Sequence, residues 1–229
     1  HEACDQSGLL TDPVPGSGAG VYVGTGMGGA LSVERAYTDM LGLGVAPRPL
    51  AILSAMNNAA AGHLSMRLGF KGPNFTYSCA CASSAVALGE AFHAIRYGRL
   101  ECALAGGAEA CIVEGVMRAW GALRVLAPPH SSGAAASCRP FSADRAGIVL
   151  GEGAAMFVLE DLESARRRGA PILAEVLGYR ATADASHITS PGVDGQARAM
   201  SGALVEAGLD PADIDYVNAH GTATRVGDV

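Results

Sequence analysis

Asn74-Phe75-Thr76-Tyr77-Ser78 runs into Cys79-Ala80-Cys81-Ala82-Ser83-Ser84, and from there an Ala-rich stretch continues to Tyr97. Phe, Thr and Tyr favour a pleated strand. From Ala82 to Tyr97, the residues Val86, Leu88, Ala91, Phe92 and Ile95 recur at helical spacing, and Gly98 closes the run. The reading is a strand, a tight turn bearing two thiols, and a helix. A thiol in that turn lies at a helix N-terminus, where orphan N–H groups and the macrodipole favour an anion. Such a setting lowers a thiol pKa, and its N–H groups can hold an oxyanion. Spacing alone does not choose between Cys79 and Cys81. A Cys among alanines also reads as a small buried hydrophobe, which is the better reading of Cys4, Cys102, Cys111 and Cys138. Cys-x-Cys is not a zinc spacing, and no metal site is expected.

Outward from this stretch, strands and helices alternate. Before it come a strand at Val21–Val23, a helix over Leu31–Leu43 and a second over Ser54–Leu68. After it come a strand at Glu101–Gly106, a helix at Ile112–Leu126, a strand at Ala154–Leu159 and a charged helix at Asp161–Arg168. A strand at Ile172–Tyr179, a helix at Gly195–Ala207 and a strand at Ile214–Asn218 follow, the last delivering Ala219-His220-Gly221-Thr222. Residues 1–18 and 127–147, rich in Gly, Pro and Ser, read as loops. Alternation of this kind predicts an α/β fold with mostly parallel pairing, and a weak subdomain boundary falls near Gly169.

Composition narrows the function. The chain has 229 residues, 49% of them hydrophobic and 17% charged, which excludes a disordered segment. No apolar run reaches the roughly 18–20 residues of a membrane-spanning helix. Net charge is -6, which argues against non-specific nucleic-acid binding. Six Cys without a paired framework fit a reducing compartment, so a cytoplasmic enzyme is expected. The first residue is His1 and the last stretch is loop-like, and both ends read as cut from a longer protein.

Two further constellations stand out. Gly24, Gly26 and Gly29 fit G-x-G-x-x-G between a strand and a helix, the context of dinucleotide binding. The acidic residue expected about 20 positions on is missing from Pro47–Ser54, and the cluster also reads as a tight turn against another backbone. His220 follows a strand, as the cysteine turn does, and ligands in open α/β sheets bind at such strand ends. Cys and His meeting there is the arrangement of nucleophilic acyl transfer. His63, His93, His130 and His187 read as turn caps.

Taken together, these residues resemble the β-ketoacyl-acyl carrier protein synthases, condensing enzymes of the thiolase fold. Cys79-Ala80-Cys81-Ala82-Ser83 is similar to the family's T-A-C-x-S nucleophile turn, which places the nucleophile at Cys81 and leaves Cys79 in the Thr position. Ala105-Gly106-Gly107-Ala108-Glu109 is similar to A-G-G-x-E. Arg139-Pro140-Phe141, Asp144-Arg145 and Gly151-Glu152-Gly153 are similar to R-P-F, D-R and G-E-G. Asn218-Ala219-His220-Gly221-Thr222-Ala223-Thr224 is similar to N-A-H-G-T-x-T.

The resemblance implies a duplicated βαβ fold, with an N-terminal thiolase-like half over residues 1–170 and the start of a C-terminal half over 171–229. It implies transfer of an acyl group from carrier-protein phosphopantetheine to Cys81, decarboxylation of malonyl-carrier protein, and attack of the enolate on the acyl-enzyme. His220 would donate a hydrogen bond to the developing oxyanion. Thr222 and Thr224 would bond the pantetheine arm, Met27 would line the acyl pocket, and Arg124, with Arg48 a second candidate, would face the acidic carrier protein. No cofactor is bound in its own right, and the strand before the nucleophile implies a homodimer. The pathway is expected to be fatty acid synthesis, with a polyketide or specialised-lipid ketosynthase as the alternative. A non-catalytic heterodimer subunit fits less well because Cys81 is present. The family's second His, its Lys and its Gly-Phe segment lie beyond Val229, so the isolated chain is expected to lack turnover. Arg225 stands where the family often has Pro.

Overall fold

A computed structural model describes residues 1–10 and 18–228. The chain divides into two units, one of His1–Cys111 with Glu152–Ala181 and one of Ile112–Gly151 with Thr182–Val229.

The first unit is built on a four-stranded sheet in the order β2-β1-β3-β4. Its strands are β1 (Gly20–Gly24), β2 (Asn74–Tyr77), β3 (Cys102–Glu109) and β4 (Gly153–Glu160). β1 pairs in parallel with β2 and β3, while β4 lies antiparallel to β3. Its helices are α1 (Glu2–Gln6), α2 (Ala30–Tyr37), α3 (Ala51–Ala55), α4 (Ala59–Leu68) and α5 (Ser83–Arg96). A short helix over Leu162–Arg167 follows β4.

Both faces of the central strands are buried, and the side chains sort by the period of two that a strand imposes. Val21 and Val23 of β1, with Cys102 and Leu104 of β3, join Cys4, Ala61 and Phe70 in one core. Tyr22, Ala103 and Ala105 face the other way, onto Ala87, Ala91 and Ala94 of α5. Small residues at that spacing let α5 lie close to the sheet. Glycine extends the same logic at Gly89, where a Cβ would lie 2.1 Å from the Tyr179 ring.

A largely buried ion pair ties the end of β4 to the helix after it. Arg168 bonds Glu160 through both carboxylate oxygens, at 2.9 Å and 2.7 Å. Asp161 caps that helix by accepting the Ser164 N–H at 2.9 Å.

The second unit contains α6 (Glu114–Ala122), α7 (Val193–Ala207) and long irregular segments. Three expectations are corrected. Residues 2–6 form a helix within the expected N-terminal loop, whose positions 11–17 lie outside the described residues. The expected strands at Ile172–Tyr179 and Ile214–Asn218 join no ladder among the described residues. Apolar β-formers alone do not make a strand, because its N–H and C=O groups need a neighbouring chain to pair with. The expected helix over Ser54–Leu68 is split at Met56–Asn58, and Met56 adopts an extended conformation there.

Candidate active site

The three parallel strands end at one edge of the first unit, and each delivers part of a candidate site. β2 leads into the thiol turn, β1 into Gly24–Gly29, and β3 into Glu109. Two glycines let α5 begin directly on that edge. A Cβ on Gly24 would lie 2.2 Å from the Ser83 carbonyl carbon, and one on Gly107 would lie 2.6 Å from Ser84 Cβ.

The thiol turn is held by its own helix start. Buried Ser83 accepts the Cys79 N–H at 2.8 Å and donates to the Ala80 carbonyl at 2.6 Å. The Ala82 N–H donates to the Cys79 carbonyl at 3.1 Å, closing a turn around Ala80, whose φ of 50° is left-handed. That region costs a non-glycine residue energy and recurs at functional sites. Cys81 follows it at the mouth of α5, exposed, as are Cys79 and Cys138.

The other three thiols are buried. Burial pushes Cys102 up to about 12, with the nearby Glu160 carboxylate adding to the rise. Burial raises Cys4 as well, and burial with Glu109 and Glu152 raises Cys111. These three therefore stay protonated and unreactive near neutral pH.

The glycine loop is tied down by Glu109. One carboxylate oxygen accepts the Gly26 N–H at 2.7 Å and the Met27 N–H at 3.0 Å, and the other accepts the Thr25 hydroxyl at 3.3 Å. The amides that a pyrophosphate would need are thus already bonded to an anion, which counts against the dinucleotide reading. The loop meets the thiol turn, since the Ser78 hydroxyl donates to the Gly26 carbonyl at 3.4 Å. Met27 is partly exposed on this loop, and Arg48 lies on an exposed segment of the same unit.

His220, Thr222 and Thr224 belong to the second unit. His220 is exposed. The Thr222 and Thr224 hydroxyls lie 2.9 Å apart. Asp228 organises this loop by accepting the Ala223 N–H at 3.0 Å and the Phe141 N–H at 2.9 Å. Burial opposes ionisation of Asp228, yet these amides and Thr222 hold its carboxyl below the usual range. Arg145 donates to the Thr224 carbonyl at 2.9 Å and the Arg225 carbonyl at 3.2 Å. The sequence marks Asp144-Arg145 as a motif, but only the fold shows its Arg gripping the threonine loop. Asp228 carries no local signal at all. Arg124 is exposed just after α6, with a left-handed φ of 55°. His130 and His187 each accept an N–H two residues on, from Ser132 at 3.1 Å and Thr189 at 3.2 Å, so both cap turns.

A mixed sheet whose three parallel strands end beside an exposed thiol at a helix start defines an α/β protein with a cysteine turn at its sheet edge. Comparison with known proteins gives the family. Residues 1–165 match the family model "Beta-ketoacyl synthase, N-terminal domain", and residues 173–229 match "Beta-ketoacyl synthase, C-terminal domain". The chain belongs to the β-ketoacyl synthase family.

Among curated relatives, "Nodulation protein E" of Rhizobium meliloti is 46% identical over 228 residues, covering 100% of this chain and 55% of that protein. "3-oxoacyl-[acyl-carrier-protein] synthase 2" of Staphylococcus aureus is 41% identical over 215 residues, covering 92% of this chain and 52% of that protein. The chain thus spans about half the length of the relatives it matches. Among solved structures, a β-ketoacyl synthase from Burkholderia phymatum superposes with a TM-score of 0.90 at 36% identity, covering 99% of this chain and 56% of that one. A type II PKS acyl-carrier protein in complex with its ketosynthase, bound to the hexaketide, gives a TM-score of 0.89 at 30% identity, covering 94% and 55%. The fold class expected from the sequence is that of these ketosynthases.

Proposed function

We propose that the whole protein catalyses decarboxylative Claisen condensation, with Cys81 as the nucleophile. The observation that carries this reading is the thiol turn, where an exposed Cys81 follows a left-handed Ala80 at the start of α5 in a chain of this family. The Cys81 thiolate attacks an acyl-phosphopantetheine thioester, and the pantetheine thiol leaves on its carrier protein. Malonyl-carrier protein then loses carbon dioxide, and its enolate attacks the acyl-Cys81 carbonyl. The new carbon–carbon bond forms as the Cys81 thiolate departs.

Negative charge gathers on thioester oxygens in both steps. The Cys81 backbone N–H serves one oxyanion, and neutral His220 serves another by donating from a ring nitrogen. Thr222 and Thr224 bond the pantetheine arm, and Met27 lines the acyl pocket. Arg124 and Arg48 meet the acidic carrier protein, the kind of partner found in complex with the type II PKS ketosynthase described above. β2 is an edge strand with Phe75 exposed, and pairing of this edge with a second copy forms a homodimer. The chain is read as a first half over 1–170 and the beginning of a second over 171–229. The set of relatives supports fatty acid and specialised-lipid or polyketide pathways alike, because chain choice lies in pocket shape rather than in these motifs.

The test is acylation of the full-length protein by acyl-pantetheine thioesters, followed by peptide mass spectrometry. The acyl mass is expected on Cys81, lost in Cys81→Ala, and iodoacetamide is expected to label Cys81 before Cys102 or Cys111. Acylation at Cys79 or Cys138 with Cys81 unmodified would refute the assignment.

A further inference from the structure

Glu109 has no part in the chemistry above, yet it governs the loop that carries Met27. Gly24–Gly29 contains four glycines, and only Thr25 and Met27 bring side chains. Glycine loses more conformational freedom on ordering than any other residue, so such a loop does not hold its own shape. Glu109 lies 82 to 84 positions away in the chain and accepts from three consecutive residues, the Thr25 hydroxyl and the Gly26 and Met27 amides.

The sheet puts the carboxylate there. Gly107 pairs with Gly24, so Glu109 stands two residues past the end of β1, on the same face as Gly107. The fit is tight, because a Cβ on Gly26 would lie 3.0 Å from Glu109 Oε2. Thr25, Gly28 and Gly29 of the loop line an open cleft of about 490 Å³ together with Glu109, Met56, Ala59 and Ala60, and Met27 lies between two of these loop residues in the chain.

We propose that Glu109 is a positioning residue for acyl-chain selection: by fixing the Met27 backbone it sets how deep a chain the pocket accepts. This rests on the reading of Met27 as an acyl-pocket residue. One buried methylene is worth about fourfold in binding, so a wall that moves by a methylene's length erases discrimination between neighbouring chain lengths.

The test uses the full-length protein and acyl-pantetheine thioesters of increasing length, with KM and kcat for Cys81 acylation measured at each. Iodoacetamide labelling of Cys81 serves as the check on the thiol turn. In Glu109→Ala, the preference between the best chain and one two carbons longer is expected to fall by up to about sixteenfold, through KM rather than kcat. Glu109→Gln is expected to keep the wild-type profile, since its amide oxygen can accept both N–H groups and its NH2 can donate to Thr25. Should Glu109→Ala fail to fold, Glu109→Asp carries the test. It keeps the charge but is one methylene short of the loop, and the same flattening is expected. An unchanged profile in the Ala or Asp variant, an equal loss at every chain length, or a Gln variant that behaves like Ala would each overturn the proposal. Failure of wild-type Cys81 to accept any acyl group would instead refute the condensing function itself, and this inference with it.

Discussion

Gly24→Ala tests how the thiol turn is seated. The new Cβ would lie 2.2 Å from the Ser83 carbonyl carbon, 2.3 Å from its oxygen and 2.4 Å from the Ser84 nitrogen, where ordinary contact begins near 3.4 Å. More than an ångström must be found, and every atom in the way is backbone. β1 is hydrogen-bonded on both sides, to β2 and β3, so the start of α5 is the part that gives. That start includes Ser83, which holds both Cys79 and Ala80, so the displacement passes to Cys81.

Overpacking of this kind costs about 1–3 kcal/mol, which is roughly 2–12 °C in Tm for a domain of about 150–250 residues. Misplacing a reacting atom by about 1 Å costs on the order of 100-fold in rate. Thermal unfolding monitored by circular dichroism and Cys81 acylation in the full-length protein read the two effects separately. Gly62→Ala is the control. It lies within α4 with nothing within 4 Å of its Cβ, and it should be neutral or stabilising. A Gly24→Ala protein with wild-type Tm and wild-type acylation would refute the steric account of the turn.

Two further predictions concern stability. Burial raises Cys102 from 9.0 to about 12, so below pH 9 the thiol is protonated folded and unfolded, and its contribution is complete. Above that pH the unfolded chain sheds the proton first, and stability should fall by about 1.4 kcal/mol per pH unit toward pH 12. Urea midpoints between pH 8 and 10.5 should therefore drop more steeply in the wild type than in Cys102→Ala, and equal slopes would contradict this. The Arg168 and Glu160 side chains are only 12% and 6% exposed. Arg168→Met should cost about 3–5 kcal/mol by stranding a buried carboxylate, and the double variant with Glu160→Leu should recover much of it. Chemical denaturation of both decides the point, and a destabilisation by Arg168→Met of under about 1 kcal/mol would contradict the burial argument.

Elements whose evidence is local were legible in advance. β1, β2, β3, β4 and α5 lie within a few residues of their expected places, because apolar runs and helical spacing report burial directly. The segments Ile172–Tyr179 and Ile214–Asn218 join no ladder among the described residues, because a ladder requires a partner that the segment cannot report. Among the proposed site residues, Cys81 is marked by its turn together with its resemblance to a family motif. The grip of Glu109 on the glycine loop and of Asp228 on the threonine loop was invisible, since each joins groups far apart in the chain or lacks any pattern of its own.

By itself, the sequence determined the family, the alternation of strand and helix, and the presence of a thiol at a helix start. These follow from short-range order, where neighbouring side chains and backbone preferences act over a few residues. Only the tertiary structure decided that the glycines at Gly24 and Gly107 exist to admit α5, and that the loop amides belong to Glu109 rather than to a phosphate. Those outcomes depend on which distant atoms share the same few ångströms, a matter settled by packing and not by spacing along the chain.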